Sequence, residues 1–534
     1  MNFRLIARLL GLIADILGVS MLFSLPWAFA PLGGDWVQEN AGFLALLCSS
    51  LICVAIGEIL RFLGRAAKDD QILRRESIAV VPLSWILAIL LAALPYLLSG
   101  AEVREGVAMS AADAIFESTS GITTTGATVL ANVEDPGAVP RTILFWRATT
   151  HFLGGLGIMV LFVILIGQGV AGKMMMNAEL GAGAFGSPMQ VQSVARLLSY
   201  LYVGMALVLT ILLRICGLSS FDALCHAFST LSTGGFSNYN GSIGHFATDP
   251  GCNSPVIEWT LIVFMILAGS NIVLLLHLLL GKPAALLRDT EWRGYLQIIL
   301  LATIVVFVSG IVCHDFEVFG TESVPIVETE NGLLPWPTAL RLTVFHVVSG
   351  LTGTGFCLDE YERWNGLALL VFIHLMFIGG CSGSTAGGTK VIRNLIAVRT
   401  ISQEIGRAHR PNLVQTVRVG KAVFGNETTS AVMTYLCAFL LSVFLVAFVA
   451  LTFEPLHDSP APVCDEGGRV INALSASLSM HSNVGPAFGP FGAKGNYGFL
   501  CSKVKFLFSW AMLMGRLELY LPILLFSPAF WRRH

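Results

Sequence analysis

One motif occurs four times in this chain, and it limits the fold more than any other feature. It reads Ser120-Gly-Ile-Thr-Thr-Thr-Gly126, Ser229-Thr-Leu-Ser-Thr-Gly-Gly235, Ser349-Gly-Leu-Thr-Gly-Thr-Gly355 and Ser479-Met-His-Ser-Asn-Val-Gly485. With the closing glycines in register, the column six residues earlier is Ser in every copy. The column three residues earlier is always a hydroxyl: Thr123, Ser232, Thr352, Ser482. The glycines lie 109, 120 and 130 residues apart, room for a helix, a loop and a second helix. This spacing predicts four copies of one re-entrant unit around a common axis.

The surroundings of the motif are apolar. Of 534 residues, 55% are hydrophobic and 12% charged, about half the roughly 25% charge of a soluble domain. Many runs reach the roughly 20 residues that a membrane-crossing helix needs, so the class is an all-α polytopic membrane protein. A net charge of −2 gives no reason to expect a nucleic-acid partner. The eleven cysteines include no Cys-x-x-Cys pair, and several, such as Cys48, Cys53 and Cys437, read as buried apolar thiols. The first 29 residues resemble a signal peptide but lack a small-residue cleavage site, which fits an uncleaved first helix.

In chain order, helices are expected at 5–30 and 41–63, joined by a loop carrying Asp35 and Glu39, as an N-terminal hairpin over 1–70. Four membrane-pore-membrane units follow, at 71–175, 190–285, 290–400 and 420–534. Their long helices are expected near 78–98 and 142–167, 196–217 and 256–280, 294–313 and 366–396, and 428–453 and 499–526. Between each pair lies a short segment: 111–121, 221–231, 338–350 and 469–480. Eleven helical residues span about 16 Å, half of a roughly 30 Å hydrocarbon core. A helix that enters halfway and returns has to be shielded by protein or line a wet cavity.

Charge sets the expected orientation. Segments between units are basic (Arg61, Arg65, Lys68, Arg74, Arg75; Lys282, Arg288, Arg293; Lys390 to Lys421), whereas loops beside the short segments carry Asp315, Glu317, Glu322, Glu328, Glu330, Glu454, Asp458, Asp465 and Glu466. The positive-inside rule then places both termini in the cytoplasm, and Arg532 and Arg533 agree. The short helices enter from outside, with the negative ends of their dipoles toward mid-membrane, which favours a cation there. Small, hydroxylated and glycine residues after each helix let the backbone run with carbonyls inward, as in filters that replace the water shell of potassium. Helix packing through small-xxx-small patterns explains one such copy but not four with matching columns.

At this point the sequence resembles a known family, the potassium-translocating subunits of bacterial Trk and Ktr systems, related to plant and fungal transporters of the same superfamily. Phe116 to Ala127, Leu231 to Ser237, Gly379-Gly-Cys-Ser-Gly-Ser-Thr-Ala-Gly-Gly-Thr-Lys390, Trp146-Arg147 with Gly154-Gly-Leu-Gly157, and Met514-Gly-Arg-Leu-Glu518 carry the resemblance. The extra hairpin is similar to the TrkH/TrkG branch. The resemblance implies a homodimer in the bacterial inner membrane, with a cytosolic TrkA-like nucleotide-binding regulatory subunit and no organic cofactor on this chain. It implies potassium coordination by Thr124, Thr125, Gly126; Thr233, Gly234, Gly235; Gly353, Thr354, Gly355; and Asn483, Val484, Gly485. Relatives that favour sodium often carry Ser at the first of these glycines, so Gly126 points to potassium. The fourth copy, with His481, Asn483 and Val484, departs furthest from the pattern.

Below the filter, Arg516 is expected mid-span in the last helix, where a charge is costly and usually functional. The resemblance makes it an electrostatic gate; the plain alternative is an Arg516–Glu518 or Arg–carbonyl pair. Gly379, Gly380, Gly383, Ser384, Gly387 and Gly388 weaken a helix in an apolar segment and predict a broken helix whose loop gates the pore. Glu117, His226 and His346 share a column nine residues before the glycines and, with Arg147, His151 and Lys505, read as buried structural partners. Two further classes stay open to comparison. A secondary transporter with broken helices, a potassium–proton or potassium–sodium symporter, usually shows two inverted repeats. No His-Glu-x-x-His, paired Asp or Ser–His arrangement on adjacent spans supports an enzyme.

Overall fold

A computed structural model describes residues 2–65, 74–166, 188–313, 335–409, 416–420, 422–453 and 466–531. The acidic stretches 315–330 and 454–465, and Lys68, Arg410, Lys421, Arg532 and Arg533, lie outside the described residues.

Two helices open the chain, Phe3–Met21 and Trp36–Gly64. They cross closely at glycines: a Cβ on Gly11 would stand 2.6 Å from the Gly57 carbonyl oxygen. The second helix starts five residues before the expected position, because Asp35 accepts the Val37 N–H as its N-cap. Glu39 therefore sits in a helical first turn rather than in a loop. Buried there, it accepts from the backbone N–H groups of Arg141 (2.7 Å) and Thr142 (3.1 Å). These are among the N–H groups that the start of helix Arg141–Ile166 leaves without intrahelical partners. One carboxylate thus docks the hairpin onto the first unit.

The four short helices are present as Ala111–Ile122, Ser220–Leu231, Trp336–Thr352 and Glu466–Ser482. The last two have 17 residues, longer than expected. Pro337 is tolerated in the first turn of one, and the Gly467-Gly468 pair is carried inside the other. Among the described residues, six helices are long and apolar enough to cross a membrane.

Two long elements differ from expectation, and a third breaks at the glycine-rich run where the sequence predicts it. The 256–280 helix is broken into Ser254–Ala268 and Ile272–Leu279, bent by 107°. The cause is local: Gly269 ends the first piece, and the Asn271 side chain accepts Val273 N–H to start the second. The 366–396 element ends at Ile378 and resumes at Val391, so its break runs from Gly379 to Lys390. The last helix stops at Arg516 instead of running to 526, because Glu518 and Leu519 adopt left-handed φ of 58° and 49° before a short Tyr520–Leu524 turn. Buried residues form one core joining the hairpin, the first unit and the last helix, and a second joining the middle two units. Among the cysteines, Cys53 is buried as expected, but Cys48 and Cys437 face outward from their helices.

Candidate functional site

All four short helices end in the same way. The N–H of the residue before each closing glycine donates to the carbonyl of the column serine: Thr125 to Ser120 (2.8 Å), Gly234 to Ser229 (2.9 Å), Thr354 to Ser349 (3.0 Å) and Val484 to Ser479 (3.0 Å). This is the long bond of a Schellman cap, and it requires a left-handed residue just before the donor. Thr124, Thr233, Gly353 and Asn483 occupy that place, with φ of 53°, 54°, 71° and 51°. Sequence reasoning expected unusual backbone only at the closing glycines. The second left-handed column was visible only in Gly353 and in Asn483, a residue that tolerates this conformation.

The closing glycines Gly126, Gly235, Gly355 and Gly485 have φ of 83°, 75°, 75° and 98°. More decisive is what lies beside them. A Cβ on Gly126 would collide with the Gly234 carbonyl oxygen, one on Gly235 with Thr354, one on Gly355 with Val484, and one on Gly485 with Thr125. The chain of contacts runs from the first unit to the fourth and back to the first. Each copy therefore packs its glycine against the carbonyl of the next, and the four strands close into a ring. Beyond it, the strands line one shared cavity that includes all four glycines, Arg147, Tyr239, Lys494 and Tyr497.

Buried side chains behind the ring hold the strands that leave it. Glu117 accepts from Val129 N–H (2.9 Å), from Thr128 and from Arg147 (2.7 Å). Arg147 also donates to the Ser237 carbonyl and lies 3.8 Å from the Phe236 ring, joining the first unit to the second. His226 Nε2 is 3.1 Å from Ser237 Oγ, and His346 Nε2 accepts Leu358 N–H at 3.2 Å. The fourth copy has Ala476 in this column, and its neighbour Ser475 accepts Phe488 N–H instead. Lys505 pairs with Asp113 at 2.5 Å, and His151 stacks on Phe236 with centroids 4.0 Å apart. The column serines diverge in their side chains: Ser349 and Ser479 donate to the carbonyls of Phe356 and Pro486, whereas the Ser120 and Ser229 hydroxyls find no such acceptor among the described residues.

On the other side of the ring lies the 379–390 segment. Thr385 donates to the Leu231 and Ala268 carbonyls, and Ser384 to Cys381. Gly387 packs against the Ser482 carbonyl closely enough to exclude a Cβ. Gly379, Gly383 and Gly388 are left-handed, and Gly379 and Gly380 pack against the returning end of the loop at 386–388. The break in the second unit holds this loop too: Cys381 N–H donates to Gly269, and Ile272 N–H to Gly383. Arg516 reaches it from the last helix, donating to Thr385 (2.7 Å) and to Gly154 (2.9 Å). An Arg516–Glu518 pair does not form; Glu518 turns away to Arg393 at 2.5 Å.

Two features escaped sequence reasoning. The Gly269-Ser270-Asn271 break was legible as a helix-ending and helix-capping triplet inside an apolar run. Glu291, which accepts from Ser382 N–H (2.7 Å) and Ile392 N–H (3.1 Å), looks in sequence like an ordinary first-turn acid. Among the described residues no group of three or more His, Cys, Asp or Glu could hold a metal ion.

Known proteins similar in sequence and fold match this chain over its length. The family described as TrkH, cation transport protein, matches residues 45–533. The Trk system potassium uptake protein TrkH of Halomonas elongata is 31% identical and that of Salmonella typhimurium 30%, each over 540 aligned residues covering all of both chains. The crystal structure of the potassium transporter TrkH from Vibrio parahaemolyticus superposes with a TM-score of 0.82 at 27% identity, over the whole of both chains.

Proposed function

The chain belongs to the TrkH family of cation transport proteins, and on that premise we propose that it is the potassium-translocating subunit of a bacterial Trk-type uptake system. The observation that carries this reading is the closed ring of Thr125, Gly234, Thr354 and Val484 carbonyls, each packed on the preceding unit's glycine. Four helix C-termini converge on it, so their dipoles add to the attraction for a cation. Thr124, Thr125, Gly126, Thr233, Gly234, Gly235, Gly353, Thr354, Gly355, Asn483, Val484 and Gly485 form the selectivity filter, where carbonyl oxygens stand in for water around potassium. The relatives' activity, potassium uptake, supports that choice of ion.

The loop from Gly379 to Lys390, with Arg516 hydrogen-bonded to it, is the gate below the filter. In this reading both termini are cytoplasmic, the subunit forms a homodimer in the inner membrane, and a TrkA-like nucleotide-binding partner acts on the basic face.

A second reading, ion-coupled symport, is favoured by the two helix breaks at 269–271 and 379–390, because discontinuous helices mark substrate sites in secondary transporters. Rubidium flux through the purified protein in liposomes separates the two. Flux that follows the rubidium gradient alone, with sodium excluded, supports a filter; uptake that stops without a proton or sodium gradient supports symport.

A further inference from the structure

We propose that Glu291 is the clasp that keeps the 379–390 loop in place under the ring, a positioning residue for gating. The inference rests on the gate reading above. A loop so rich in Gly, Ser and Thr has little tendency to order itself, so its position is set by what holds it. Most of its bonds are made at single points: Cys381 and Gly383 to the broken helix, Thr385 to Arg516 and to the Leu231 carbonyl.

Glu291 differs. One of its carboxylate oxygens accepts from Ser382 N–H, near the start of the loop, and from Ile392 N–H, just past its end. The Ile392 N–H is among the first four of helix Val391–His409 and has no intrahelical acceptor, so a negative charge at that helix start is doubly favoured. One side-chain oxygen therefore ties both ends of the loop to a third element, beside the backbone bonds from Thr389 N–H to Phe377 and from Val391 N–H to Gly380 that join the ends to each other.

The clasp is also placed where it can be released. Glu291 is the second residue of helix Thr290–Val312, directly after the Asp289 N-cap and the short Pro283–Leu287 helix that links the second and third units. At 2.7 and 3.1 Å both bonds are made, and a shift of the helix start by about 1 Å breaks both, since hydrogen bonds weaken steeply past about 3.2 Å. The connector carries Lys282 and Arg288, and the loop-following helix carries Arg393, Arg399 and Arg407. A movement imposed there reaches the loop from both flanks at once.

The test is rubidium flux through the full-length protein in liposomes, with and without the regulatory partner. Glu291→Ala leaves two partly buried N–H groups without their acceptor, and basal flux without partner should rise about tenfold, the effect of one unsatisfied hydrogen-bond donor on a two-state balance. The potassium-to-sodium ratio should not change. Glu291→Gln keeps an acceptor oxygen of the same reach and should fall between wild type and Ala. A purely structural role would lower the inserted yield and would not raise basal flux with selectivity intact.

Cys381, 1% exposed within the loop, gives a second readout. Its maleimide labelling, followed by peptide mass, should quicken with the flux, and it carries the test on Glu291→Gln if the Ala variant does not insert. Wild-type flux and labelling in the inserted variant overturn the clasp. Shortening the loop between Gly383 and Gly388 is the control. If that variant conducts without its partner while Glu291→Ala does not, the clasp is wrong and the gate stands. If neither conducts more, the gate reading itself fails.

Discussion

Two stretches of irregular backbone meet on the axis of this protein, and they are held in opposite ways. Both are rich in Gly, Ser and Thr, and both interrupt apolar helical sequence. The ring around Gly126, Gly235, Gly355 and Gly485 is fixed by one arrangement made four times. Each Schellman bond and each glycine–carbonyl contact has three equivalents, so no single strand can shift without opening the circle. The 379–390 loop is held by unlike contacts made once each: by Glu291 of its own unit, by Arg516 of the fourth, and by the loop's own Thr385 on carbonyls of the second. Repetition makes rigidity, whereas a few separate ties can be released together. On the proposed reading, the same residue composition supplies a fixed filter and a movable gate.

The sharpest way to break this comparison is in the ring. Gly126→Ser puts a Cβ onto the Gly234 carbonyl at a φ of 83°, a strain of about 1–3 kcal/mol before the collision is counted. Potassium-over-sodium selectivity should fall by about tenfold or more, since 1.4 kcal/mol is a factor of ten. Flux ratios in liposomes measure it, and an unchanged ratio would remove the ring from selectivity altogether.

A smaller effect is expected below the ring. Arg516→Ala deletes donors to Thr385 and Gly154, as well as a positive charge under the ring. Flux should rise by up to about tenfold, the range of a charge-assisted hydrogen bond, with ion preference unaltered. Reduced flux with changed preference would mean that the arginine shapes the ring, and the division between fixed and movable parts would be lost.

The smallest effect tests whether the ring side also depends on a single tie. Glu362, in the short turn Tyr361–Arg363 outside the spanning helices, accepts Ala493 N–H at 2.6 Å and links the third unit to the fourth. Burial pushes its carboxyl up to about 7 from the ordinary 4.5, against the lowering effect of that N–H. The folded protein thus holds this proton more tightly than the unfolded chain. Its contribution to stability is full below about 4.5 and is lost as pH rises through about 7. Melting curves in detergent from pH 5 to 8 should show a shallower fall for Glu362→Gln than for wild type. Identical slopes would show that ionisation of this carboxyl is not linked to folding.

The sequence alone determined the repeated architecture. A period-matched Ser, hydroxyl and Gly pattern after short apolar helices is local information, and local rules read it: hydrophobic length, small residues, and glycine where backbone is unusual. It also marked the loop from Gly379 and the buried charges Glu117, Arg147 and Lys505, because charges inside apolar runs stand out.

Only the tertiary structure decided how these parts are joined. That each glycine meets the next unit's carbonyl depends on strands more than a hundred residues apart. The break at Gly269 becomes meaningful once Cys381 and Gly383 bond across it. Arg516 was expected mid-helix, with Glu518 or a backbone carbonyl as its plain partner, and carbonyls are what it finds. The chain turns there, since one residue finds carbonyls of two other units and the other finds Arg393. Glu291 carries no mark in sequence, because a carboxylate at a helix start is common, and what distinguishes it is a pair of N–H groups that folding brings to one oxygen.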